Sequence, residues 1–119
     1  MLIYSVALFA LAAVFGLYLI SRVLKGALPP WPAALAHGAF AATGLVILLY
    51  AAFLTGTPAP MAVLIAAGLL VLAALGGFLM ISFHLRGQVP PKPVAVIHAL
   101  AAVAGFLTLC FGVFAPAAS

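Results

Sequence analysis

Four apolar runs, each about as long as a bilayer is thick, leave this chain few ways to fold. They extend from about Leu2 to Val23, about Trp31 to Leu54, about Met61 to Phe83 and about Pro93 to Phe114. A helix needs roughly 20 residues to cross the ~30 Å of hydrocarbon. Inside that hydrocarbon, a helix satisfies its own backbone hydrogen bonds. The expected fold is therefore all-α, a four-transmembrane-helix bundle. Composition agrees. Of 119 residues, 70% are hydrophobic and only 3% are charged, and a soluble domain of that size exposes too much surface to hide such a chain. The length suits one transmembrane domain, residues 1–119. The first run has no basic residue ahead of it and ends at Arg22 and Lys25, so it reads as a retained span, not a cleaved signal.

Glycine and proline separate the runs. The breaks read GALPPWP from Gly26 to Pro32, TGTPAP from Thr55 to Pro60, and GQVPPKP from Gly87 to Pro93. Glycine lets a helix end and proline stops it continuing. Pro32 and Pro93 suit the first turns of the helices that follow, where a missing N–H costs nothing. Such short connections make consecutive helices antiparallel neighbours.

The charges are Arg22, Lys25, Arg86 and Lys92, with no Asp or Glu. All four flank the first and third breaks. The positive-inside rule then puts those connections in the cytoplasm of a plasma (inner) membrane protein, with both termini and the Thr55–Pro60 turn on the other side. Trp31 and Tyr50 fall near opposite ends of the second run, as interfacial aromatics do. Four separated cations make no groove for nucleic acid; lipid headgroups are the expected anionic contact.

The two halves, about 1–58 and 59–119, repeat each other at an offset of 61 residues. Residues 12–38 read AAVFGLYLISRVLKGALPPWPAALAHG and residues 73–99 read AALGGFLMISFHLRGQVPPKPVAVIHA; 12 of the 27 positions are identical without a gap. Gly16 pairs with Gly77, Gly26 with Gly87, Lys25 with Arg86, His37 with His98 and Gly44 with Gly105. An offset that carries two spans keeps both halves in one orientation. The halves are expected to be parallel-repeat helical hairpins about a pseudo-two-fold along the membrane normal. Ala12, Gly16, Gly44, Gly77 and Gly105 would let helices approach closely, or make room for a flat cofactor.

His37 and His98 each follow their proline by five residues. At 1.5 Å per residue each lies roughly 7 Å inside its helix, and the repeat puts both at one depth. An imidazole there is costly unless neutral and either hydrogen-bonded or ligated. One expectation is a hydrogen bond that ties the hairpins together. The other is axial ligation of a b-type haem between diagonal helices, with the haem iron near the pseudo-axis. Its propionates would turn to Lys25, Arg86 or Arg22, and Gly44 and Gly105, seven residues beyond the histidines, would relieve crowding against the ring. His84 has Val23 as its counterpart, and is expected to snorkel or cap at the membrane interface. Cys110 is the only cysteine, so no intrachain disulfide can form, and it reads as a small buried hydrophobe. Absence of carboxylates removes proton-coupled export, di-iron carboxylate sites and paired-acid catalysis.

Histidines in alternate helices of a duplicated hairpin, with basic residues on the nearer side, resemble the small four-helix membrane cytochromes of the b561 type. The repeated KGALPPWPAALAH and RGQVPPKPVAVIH also look like segments of small bacterial membrane proteins. The first resemblance covers the architecture of the membrane core; the single-haem reading beside it expects haem b held by His37 and His98 and electron exchange with quinone or a partner cytochrome. From the residues themselves, the leading expectation is a non-enzymatic accessory or structural subunit of a larger membrane complex. It would contact lipids and a membrane-protein partner or a second copy. The single-haem electron carrier is the alternative.

Overall fold

Four helices form in the computed structural model, which describes residues 1–115: α1 (Leu2–Leu24), α2 (Trp31–Phe53), α3 (Met61–Leu85) and α4 (Lys92–Phe114). Each is 23 or 25 residues long, enough at 1.5 Å per residue to cross the hydrocarbon. Large apolar side chains such as Leu17, Val46, Phe78 and Phe111 point outward on all four. Only lipid can receive that surface at low cost, and the protein is a multi-pass membrane protein. Boundaries expected from the sequence hold to within two residues.

The first and third connections are built alike. Gly26 has φ 75° and Gly87 has φ 69°, a left-handed conformation that costs a residue with a Cβ. Gly26 N–H donates to Val23 C=O and Ala27 N–H to Arg22 C=O; Gly87 donates to His84 and Gln88 to Phe83. Both ends are Schellman motifs, which use up carbonyls left free by the helix end. Pro30 and Pro91 then cap α2 and α4, with a proline in the first turn of each.

Packing follows the repeat. α1 lies most closely on α2 and α3 on α4, so the chain is two helical hairpins. The hairpins join through lighter α1–α4 and α2–α3 contacts. Among the described residues, no Cα of α2 comes within 8 Å of α4, nor of α1 within 8 Å of α3. These two pairs are the diagonals of the bundle. The core at the non-basic half is Phe9, Leu48, Val63, Ala66, Leu70 and Leu109. Gly44 and Gly105 pack there, seven residues from the histidines. A Cβ on Gly44 would stand 3.4 Å from Phe9, and one on Gly105 2.8 Å from Leu70 Cγ. Phe9 and Leu70 are themselves repeat counterparts.

Candidate functional site

The prolines that start α2 and α4 set the register of the histidines, and the first helix of each hairpin receives them. His37 Nδ1–H donates to Ala12 C=O at 2.8 Å, and His98 Nδ1–H donates to Ala73 C=O at 2.7 Å. Both bonds span 25 residues. Because a carbonyl only accepts, Nδ1 carries the proton, and in the neutral ring Nε2 holds the lone pair. Glycine eases the approach at Gly16, where a Cβ would stand 3.1 Å from His37 Cε1; at Gly76 and Gly77 a Cβ would stand 3.4 and 3.5 Å from His98, in ordinary contact. Each histidine therefore ties the two helices of its own hairpin together, as expected of a polar group that must be satisfied in hydrocarbon.

The two rings also meet each other. Their centroids are 6.1 Å apart with planes inclined at 75°, so imidazoles from the diagonal helices α2 and α4 reach the middle of the bundle. The neighbours that α1 and α3 bring against them include the small residues Ala12, Gly16, Ala73, Gly76 and Gly77. Among the described residues neither Nε2 has a hydrogen-bond partner. Two imidazoles with Nδ1 bonded to carbonyls and Nε2 without a hydrogen-bond partner make this the candidate site. No third histidine, cysteine or carboxylate joins them in a metal-binding group among the described residues.

The basic residues lie toward the Schellman ends. Lys25 and Arg86 cap α1 and α3. Arg86 Nε–H donates to Ser82 C=O at 3.1 Å and its guanidinium lies 4.8 Å from the centre of the Phe83 ring. Arg22 is the inward one. It reaches Leu28 C=O through a terminal nitrogen at 3.3 Å, yet its Nε is buried without a partner. Arg22 lies six residues beyond Gly16, roughly 9 Å along α1 from the histidine level.

His84 departs from the expected snorkelling position. It is only 5% exposed and lies flat against Trp31, with ring centroids 3.9 Å apart and planes 5° apart. Trp31, in the first turn of α2, covers it where α2 meets α3, and its Nε2 is buried without a partner. Cys110 is half-buried and unpaired in α4. A further buried polar group is Ser5, fully covered, whose hydroxyl donates to Gly44 C=O at 2.9 Å. A lone serine in the first turn of an apolar run was the available signal for that bond. Set against family models, curated proteins and solved structures, the chain matches none.

Proposed function

We propose that this protein is a membrane electron carrier with one b-type haem, which His37 and His98 would hold. The observation that carries the reading is the pair of imidazoles on diagonal helices, 6.1 Å apart between centroids. At that separation His37 and His98 could both reach one metal ion between them. The Nδ1–H bonds to Ala12 and Ala73 carbonyls orient both rings and free Nε2, the pattern that second-shell partners give to metal-binding histidines. Small residues on α1 and α3 at that level suit the edges of a flat ring. The orphaned Nε–H of Arg22 is a buried donor suited to a propionate, with Lys25 and Arg86 further out.

When bound, such a haem supplies reversible one-electron transfer. The chain's own part is to fix the tautomers, keep water from the site and offset the propionate charge. The test is a reduced-minus-oxidised spectrum of the protein in mild detergent. Soret and alpha bands should appear, and should vanish in His37→Ala and in His98→Ala. A folded protein that stays colourless when supplied with haem sinks the reading.

A second reading, an accessory subunit of a larger membrane complex, draws support from the outward apolar faces on every helix and the near absence of extramembrane mass. It would appear as stoichiometric crosslinking to one membrane protein in native membranes. A protein that is solitary in those membranes contradicts it. In either reading the basic connections face the cytoplasm of the plasma membrane, following the positive-inside rule.

A further inference from the structure

The two hairpins differ where the repeat breaks. Phe15 on α1 and Phe40 on α2 stack with ring centroids 5.9 Å apart and planes 24° apart. Their counterparts in the second hairpin are Gly76 and Ala101. The side chains that fill this position in one hairpin are simply missing from the other. What takes their place is a groove of about 350 Å³ between α3 and α4, lined by both Gly76 and Ala101. Leu72, Leu75, Leu79 and Ile97 form its walls, and all four are exposed on the outside of the bundle. The groove therefore opens toward hydrocarbon. Its polar element is His98, the same imidazole that binds Ala73 C=O.

We infer that this groove is a binding site for a lipid-soluble molecule carrying a flat ring system, taken from the bilayer and seated where the first hairpin seats Phe15 and Phe40. Two observations converge. The volume falls in the range of small-molecule sites, roughly 300–1,000 Å³. The position is the one that two near-parallel phenyl rings occupy in the first hairpin, so the space left open is that of flat rings between aliphatic walls. The walls are apolar almost throughout, so the occupant is held by its shape and not by a polar contact. The site lies on the outer side of the hairpin, so it stands whether or not iron lies between the histidines.

The test uses the full chain in lipid nanodiscs with 6-fluoro-2-methylnaphthalene as the probe, followed by fluorine NMR. Wild type should show a saturable bound resonance at one equivalent per chain, above simple partition into lipid. Gly76→Phe/Ala101→Phe copies the first hairpin into the second and should abolish it, with helix content retained. Phe15→Gly/Phe40→Ala should open the matching groove and raise the count to two. A wild type that shows partition only, as when acyl chains fill the groove, overturns the inference, and so does a filled variant that still binds. If the filled variant does not assemble, the opened variant decides: two equivalents support the site, and one or none overturns it. Haem absorbance measured on the same samples separates failure here from failure of the electron-carrier reading.

Discussion

His37 and His98 approach across the α2–α4 diagonal to 6.1 Å between ring centroids, while each donates its Nδ1–H to a carbonyl of the helix preceding its own. The pair thus performs two tasks, and these can be separated. His37→Ala and His98→Ala should each lower stability by about 1 kcal/mol, the scale of an interhelical hydrogen bond in a membrane. In cofactor-free protein the two losses should add, because the bonds lie in different hairpins. A double-variant loss smaller than the sum would measure a favourable contact between the rings, because each single change already removes it. Unfolding in mixed micelles reads these values; no loss in either variant would mean the carbonyl bonds do not support the hairpins.

Gly105 and Gly44 are repeat counterparts under unequal pressure. A methyl at Gly105 would stand 2.8 Å from Leu70 Cγ and 3.2 Å from Leu69 Cβ, whereas one at Gly44 meets nothing closer than 3.4 Å. Gly105→Ala should cost about 1–3 kcal/mol through overpacking, and Gly44→Ala distinctly less. Leu70→Ala should recover part of the Gly105→Ala loss. Equal costs at the two glycines would contradict the packing described.

Helix ends give a third comparison. Gly26 and Gly87 hold φ of 75° and 69°, so Ala at either should cost about 1 kcal/mol. Gly38 sits inside α2 with open space where a Cβ would go. Gly38→Ala should be neutral or favourable, since glycine weakens a helix interior by roughly 0.5–1 kcal/mol. Thermal inactivation curves of the three variants test the order.

Orientation is open to chemical labelling. In a Cys110→Ser background, Gln88→Cys in the basic third connection should react with a membrane-impermeant maleimide only after cells are opened. Thr57→Cys in the uncharged connection should react in intact cells. The opposite pattern would reverse the assigned topology.

Much of the architecture is legible along the chain because it depends on neighbours in sequence. Span length, Gly–Pro breaks and the 61-residue repeat specify helices and hairpins, since backbone hydrogen bonds in hydrocarbon leave no local alternative. The matched prolines likewise set His37 and His98 at one depth. His84 shows where this reading stops. Its place beside Arg86 suggested a side chain at the interface, but Trp31, more than fifty residues earlier, folds over it.

The sequence by itself determined the spans, the duplication and the level of the paired histidines. The tertiary structure alone decided that Ala12 and Ala73 receive their Nδ1–H bonds, that the rings meet on a diagonal, and that losing Phe15 and Phe40 in the second copy leaves a groove. The physical reason is helix rotation. In water, an apolar stripe marks the face a helix buries, but these helices are apolar all round because lipid accepts any such face. Which side turns inward is then settled by close packing of small residues and by a few buried hydrogen bonds, and both depend on partners distant in the chain.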